Sequence, residues 1–260
     1  MTGIAVAATA PFGADVLERL AERQDVAALL TRPDAPAGRG RRATPPPAKV
    51  AAERLGIPVL QPERPEHPGT DVVVVAAYGL LIPETLLERG LWLNVHPSLL
   101  PRWRGAAPVE RTLMAGDRET GVTIHETVKE LDAGPIAAQR AFPVGPEDDA
   151  GAIFERSAAL AVELLDEVLP EPSFTPQAGE PTYAAKITAA DRELDWSRPA
   201  EELLNRIRAL SPHIGARGDL EGRRVTVWRA RIEDGRLVPV EVQPEGGRKM
   251  EYQAWLRGLR

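Results

Sequence analysis

The 260-residue chain contains no cysteine. That excludes disulfides and thiolate metal sites, and it suits a reducing cytoplasm. Histidine is scarce: only His67, His96, His125 and His213 are present, and no pair has ligand spacing such as H-x-x-x-H. No metal is therefore expected. No apolar run approaches the ~20 residues that cross a bilayer. The opening "MTGIAVAATAPFGADVLERL" has neither a basic leader nor a small-residue cleavage site, so it reads as a first strand and helix. Its turn, "AATAPFGAD", lacks both G-x-G-x-x-G and a Walker lysine, which leaves a nucleotide cofactor unsupported. Ser98 lies near His96 but outside any G-x-S-x-G. There is no internal repeat and no low-complexity tract.

The length suits one large domain, or one domain with a smaller companion. The formal net charge of −6 is unevenly spread. Residues 191–260 hold fourteen Lys and Arg against twelve Asp and Glu, so the first 190 residues are acidic. Within that acidic part, Arg32, Arg39, Arg41, Arg42 and Lys49 stand against Asp34. Such a basic loop suits a polyanion; a solvated surface loop is the plain alternative.

The first two-thirds alternate between periods. "GIAVAA", "VAALLTR", "IPVLQP", "DVVVVAA" and "LWLNVH" read as strands. "ADVLERLAERQ", "AKVAAERLG", "PETLLERG" and "APVERTLMAG" read as the helices between them. The β-branched run of "DVVVVAA" predicts a strand buried on both faces of a parallel sheet. "GVTIHET" and "PIAAQRAF" predict a hairpin around "VKELDAG", and "DDAGAIFERSAALAVELLDEVL" a long amphipathic helix. Repeated strand–helix units imply an α/β fold with right-handed crossovers. A Pro- and Gly-rich stretch then breaks the rhythm. After it come a helix, "AEELLNRIRAL", and two strands, "RRVTVWRARI" and "RLVPVEV", which suggest a small, barrel-like second domain. The predicted division is a catalytic domain over 1–170, a linker over 171–190 and a C-terminal domain over 191–260.

Ligands of doubly wound sheets sit outside the carboxyl ends of the strands. "DVVVVAA" ends at Tyr78 and Gly79, and "LWLNVH" ends at Asn94 and His96, which share one side of the strand. Asp132 follows in the hairpin turn. An amide, an imidazole and a carboxylate there suit acyl transfer: donors for an oxyanion, and a carboxylate that orients the imidazole and raises its proton affinity. Each residue also has a plain structural reading, as an edge amide, a satisfied histidine and a turn aspartate.

Two stretches, "NVHPSLLPRWRGAAPVE" and "ETGVTIHETVKELDAGPI", strongly resemble the formyltransferases that use 10-formyltetrahydrofolate. Asn94, His96 and Asp132 match that family's Asn-x-His and later Asp. "RPDAPAGRGRRATPPPAKVAAERLGIPVLQPE" and the tail through "VQPEGGRKM" narrow the resemblance to the members that formylate methionyl-tRNA. The resemblance covers nearly the whole chain. Two departures stand out. Ala8-Thr9-Ala10 replaces the family's Gly-Thr-Pro, and the chain is short between Ile232 and Val242.

The resemblance implies a Rossmann-like formyltransferase domain with a parallel sheet, then a small OB-like β-barrel. It implies transfer of the formyl group of 10-formyltetrahydrofolate to the α-amine of initiator methionyl-tRNA, in the cytoplasm, without a membrane, with the protein expected as a monomer. Asn94, His96 and Asp132 would be catalytic. Tyr78, Gly79, Leu80, Ser98, Leu99, Leu100 and Pro101 would bind the folate, Leu99 and Leu100 being equally suited to core packing. Arg39, Arg41, Arg42, Arg102 and Arg104 would meet tRNA, with Trp103 between two cations either stacking on a base or packing under its own loop. A formyltransferase acting on a nucleotide-linked amino sugar, or a non-catalytic folate- or RNA-binding protein, are the alternatives.

Overall fold

A computed structural model describes residues 3–37 and 42–259. The elements, in order, are β1 (Ile4–Ala8), α1 (Pro11–Ala21), β2 (Val26–Leu30), β3 (Ala35–Ala37), β4 (Arg42–Thr44), α2 (Pro47–Leu55), β5 (Val59–Leu60), β6 (Val72–Ala76), α3 (Glu84–Leu87), β7 (Leu91–His96), β8 (Arg104–Gly105), α4 (Pro108–Ala115), β9 (Glu119–Glu126), β10 (Ile136–Pro143), α5 (Ala150–Val168), β11 (Tyr183–Ala184), α6 (Ala200–Leu210), β12 (Ala216–Leu220), β13 (Arg223–Glu233), β14 (Arg236–Pro244), β15 (Met250–Glu251) and α7 (Tyr252–Arg257). They form two compact units. One comprises Met1–Arg104, Gly121–Ala141 and Glu155–Thr182; the other comprises Gly105–Thr120, Phe142–Phe154 and Tyr183–Arg260.

The first unit is built on a seven-stranded sheet in the order β10-β9-β7-β6-β1-β2-β5. β5, β2, β1, β6 and β7 run parallel, and β9 turns antiparallel to β7. β6 is the expected buried strand: Val73, Val74 and Ala76 are fully buried. With Ala5, Ala7, Leu30, Tyr78, Ile82 and Trp92, Val73 and Val75 form one apolar cluster. Gly13 lets α1 press onto the sheet; a Cβ there would lie 2.2 Å from the Ala76 carbonyl oxygen. In the first loop, Ala8-Thr9-Ala10, Thr9 Oγ1 donates to the Tyr78 carbonyl at 2.8 Å. In the turn-rich stretch after β2, the described residues Ala35–Ala37 and Arg42–Thr44 pair as antiparallel strands. Arg39 and Arg41 lie outside the described residues. Arg42 opens β4.

In the second unit, β12 to β15 form a four-stranded antiparallel sheet in sequence order. Leu203, Ile207 and Leu210 of α6 pack with Val225, Val227, Val242 and Trp255. Ala209 packs instead with Val109 and Leu113 of α4 and with Ala150 and Ile153. The stretch between Ile232 and Val242, expected to be short, contains a tight turn. β13 enters β14 through Asp234 (φ 49°) and Gly235 (φ 72°), a two-residue turn with positive φ at both positions.

Candidate active site

β7 ends in Asn94 and His96 at the carboxyl edge of the parallel strands. The antiparallel partner β9 sets His125 directly opposite Asn94. Residues so paired have neighbouring side chains on one face of the sheet. The hairpin loop then returns Asp132 to the same face. Its backbone is left-handed (φ 48°). Gly134 makes the loop possible, because a Cβ there would sit 1.8 Å from the Glu126 carbonyl oxygen.

The side chains converge tightly. Asn94 Nδ2 lies 3.2 Å from Asp132 Oδ1 and 3.1 Å from His125 Nε2. His96 Nδ1 is 3.7 Å from Asp132 Oδ2, and His125 Nε2 is 3.8 Å from Asp132 Oδ1. His96 Nε2 donates to the Trp103 carbonyl at 2.9 Å, which leaves Nδ1 facing the carboxylate. His125 Nδ1 donates to the Glu126 carbonyl at 2.9 Å. Burial holds His96 below the ordinary histidine range against the opposing pull of Asp132, so the ring is neutral at pH 7. Burial lowers His125 to about 4.

His96, His125 and Asp132 are the one group of potential metal ligands among the described residues, with ligating atoms within 4.8 Å of one another. Each ring gives its other nitrogen to a backbone carbonyl, as metal-binding histidines do. The donor set therefore fits a cation in kind. Two of the lone pairs a cation would need already receive Asn94 N–H groups, so internal hydrogen bonds account for the cluster.

The wall that follows is braced from β9 and β10. Ser98 is buried, and its hydroxyl donates to the Arg102 carbonyl at 2.7 Å. Thr123 Oγ1 donates to the Ser98 carbonyl, and Gln139 Nε2 donates to the Leu100 carbonyl. Leu100 and Tyr78 are buried; Leu80, Leu99 and Pro101 are half-buried; Gly79 is exposed. Beside them Leu81 is 84% exposed, an apolar side chain held in the open. Arg102 stacks over the Trp103 ring at 4.5 Å, so loop and ring pack on each other. Arg104 donates through Nε and Nη2 to Gln177 Oε1 at 3.1 and 2.6 Å.

His125 and Gln177 are absent from the residues singled out by sequence. His125 had a legible signal, an inward position on an alternating strand, but its partner became clear only from the β7–β9 register. Gln177 stands in the expected linker. Its Nε2 donates to the carbonyls of Asp132 and Gly134, both at 2.8 Å, clamping the loop that carries the carboxylate. No local pattern marks it.

An open α/β sheet that presents an amide, two imidazoles and a carboxylate beyond a strand end has the parts of a group-transfer enzyme. The formyl transferase family model matches residues 3–169, and the formyl transferase C-terminal domain matches 186–237. The chain belongs to the formyl transferase family. It is 38% identical to a methionyl-tRNA formyltransferase of Listeria innocua serovar 6a, over 99% of this chain and 96% of that one. It is 39% identical to one of Cereibacter sphaeroides, over 95% and 93%. The Listeria alignment spans 299 positions, so that relative carries residues that this shorter chain lacks. Among solved structures, the methionyl-tRNA formyltransferase of Clostridium thermocellum shares the fold, with a TM-score of 0.67 at 16% identity, over 95% of this chain and 98% of that one.

Proposed function

We propose that this protein transfers the formyl group of 10-formyltetrahydrofolate to the α-amine of initiator methionyl-tRNA. The observation that carries the reading is the convergence of Asn94, His96 and Asp132 at one strand end, in a chain that aligns nearly end to end with methionyl-tRNA formyltransferases. Folate supplies the formyl group; half-buried Leu80 and Leu99 and exposed Leu81 are apolar side chains suited to a flat ring.

The reaction needs one proton moved from the attacking nitrogen to the departing one. Asp132, acceptor-only as a carboxylate, takes the amine proton as the new C–N bond forms. Asp132 hands that proton to His96 Nδ1, 3.7 Å from its Oδ2 and bare in the free protein, as negative charge growing on the formyl oxygen raises the proton affinity of the ring, and Asp132 returns to the carboxylate. The resulting N–H holds the oxyanion and delivers the proton to the leaving nitrogen. Asn94 joins this set from the opposite side of Asp132.

Basic side chains in each unit support a tRNA partner. The first unit carries Arg102 beside the site and the loop of Arg39, Arg41 and Arg42. The second has a concavity lined by Arg192, Arg217, Arg224 and Trp228. No described helix is long and apolar enough to cross a membrane, and charged tRNA sets a cytoplasmic workplace.

The test is formylation of charged initiator tRNA. Asp132→Ala and His96→Ala are expected to cut turnover by roughly 10²–10³ or more, the scale of losing one oxyanion donor. The losses should be non-additive in the double variant. A folded His96→Ala protein with near-normal turnover removes the assignment of this site. A wild-type protein that formylates an amino-sugar nucleotide and ignores methionyl-tRNA replaces the acceptor.

A further inference from the structure

We propose that a concavity on the outer face of the second unit's sheet binds a nucleoside monophosphate, its phosphate held by Arg192 and Arg217 and its base set against Trp228. The strand pattern builds the site. Along β13, Val225 and Val227 enter the apolar core, so Arg224 and Thr226 face the other way. Register sets Arg217 of β12 and Gln243 of β14 on either side of Thr226, on that same outer face. Trp228 is the extra residue of a bulge, since Val227 pairs with Val242 and Arg229 with the adjacent Glu241. A bulge re-aims a side chain, and Trp228 joins the lining of the concavity. Arg192 reaches it from the short helical turn Ala190–Arg192. The cavity measures about 360 Å³, near the lower end of the ~300–1,000 Å³ of small-ligand sites.

The groups that would hold a nucleotide are set in place by the protein itself. Arg192 donates through Nε and Nη2 to the carbonyls of Gly215 and Ile214, at 3.2 and 2.7 Å. Its Nη1 donors remain uncommitted among the described residues. Trp228 Nε1 donates to Gln243 Oε1 at 3.1 Å, and Ser211 Oγ donates to the Trp228 carbonyl at 2.6 Å. The indole stays half-buried, so part of its surface is open to a base. Lys249, which does not line the cavity, lies over the ring at 3.7 Å. Arg217 is exposed and has neither a hydrogen bond nor an ion pair from its side chain among the described residues. Arg224 is answered by Glu193 and Asp219, and the exposed Glu245 also lines the cavity. The uncommitted cations are thus Arg192 and Arg217. They suit one phosphate monoester, of charge about −1.5 to −2, while the acids around them disfavour an extended polyanion. Burial, and then the charge of Arg217, lowers the proton affinity of Arg192. An anion shared by the two guanidiniums relieves their repulsion. Two sources supply this chemistry: a free nucleotide, or the terminal nucleotide of an RNA. The site does not rest on the formylation reaction proposed above.

The test is titration of the full-length protein with AMP and GMP, read at the ¹H–¹⁵N signal of Trp228 Nε1 and assigned with Trp228→Phe. A saturable shift is expected. Ribose 5-phosphate, which lacks the base, should bind about tenfold more weakly or worse, the scale of one stacked base. Arg217→Gln should raise the Kd for AMP about tenfold, the scale of a hydrogen bond to a charged group. Its Tm should be unchanged, because the side chain has no partner to lose. No saturable shift at millimolar nucleotide overturns the proposal. So does ribose 5-phosphate binding as tightly as AMP, or an unchanged Kd in folded Arg217→Gln protein. Adding tRNA to the AMP-saturated protein separates the sources. Displacement of AMP assigns the site to an RNA terminus, and simultaneous binding assigns it to a free nucleotide. A protein inactive on methionyl-tRNA would remove the proposed function and leave each of these readings intact.

Discussion

Asp132 pays a conformational cost for its place. A left-handed backbone costs a residue with a Cβ roughly 1–2 kcal/mol, and Gln177 opposes that cost by holding the carbonyls of Asp132 and Gly134 with one amide group. Gln177→Glu keeps the acceptor for Arg104 and loses both donations, whereas Gln177→Ala loses everything. Both are expected to reduce kcat, since the carboxylate drifts. Both should also lower Tm, the Ala variant because the Arg104 guanidinium loses its partner and the Glu variant because its second carboxylate oxygen faces the two carbonyls it cannot bond, each loss being worth about 1–3 kcal/mol. Thermal melts and steady-state rates on the two proteins check this. A second residue-scale expectation concerns acid. His96 and His125 are held neutral by burial, with His125 brought from 6.5 to about 4. The unfolded chain therefore binds protons at a pH where the folded one does not, so stability rises with pH in that range. It should be full above 6.5 and fall as the pH drops toward 4. The fall should total a few kcal/mol, a tenfold change in proton affinity being worth ~1.4 kcal/mol. Urea unfolding at a series of pH values reads the slope. His125→Gln should flatten it; an unchanged slope would assign the acid loss to other groups.

At the scale of elements, the segment expected as a linker is tied down at both ends of its path. Gln177 holds it in the first unit. In the second, Arg111 of α4 reaches the carbonyls of Ala185 and Lys186 and makes a two-pronged bridge to Asp191 at 2.8 and 3.0 Å. That bridge, with the Thr188 donors, holds the Asp191 carboxyl far below its usual 3.8. A depressed carboxylate adds stability that is present above pH 3.8 and lost only as the pH falls through its folded value. Arg111→Met should thus cost about 1–3 kcal/mol at pH 7, with the deficit shrinking in strong acid, as denaturant titration would show. Elements with a period of their own were legible: β1, β2, β6, β7, α1, α2, α5, α6, β13 and β14 follow from apolar spacing. Those that exist by pairing were not. β3, β4, β8, β11, β12 and β15 are two to five residues long, and each is held by a partner distant in sequence or by a local turn. α3 spans only four residues, fewer than "PETLLERG" suggested. The active site divides likewise. Asn94, His96 and Asp132 could be placed from strand ends and a turn, whereas His125 and Gln177 needed the register and the return of the chain.

Over the whole molecule, the acidic balance makes the basic loop the feature on which a polyanion would depend. Replacing Arg39, Arg41 and Arg42 with Ala should weaken tRNA binding. It should also reduce the slope of log K against log salt, by up to ~1 for each phosphate that is no longer neutralised. Folate affinity should be nearly untouched. Filter binding across a salt series measures the slope, and equal loss of both ligands would make the loop structural. The interleaving of the two units along the sequence has an outcome in time. A chain leaves the ribosome from its N-terminus at roughly 5–20 residues per second. Val109 and Leu113 of α4 emerge early, but the residue of α6 they pack with, Ala209, comes nearly a hundred residues later. Ala150 and Ile153 of α5 can cover it sooner, but for on the order of ten seconds at that rate the α6 part of its native cover is missing. The cluster around α4 is therefore completed only when the late helix α6 arrives.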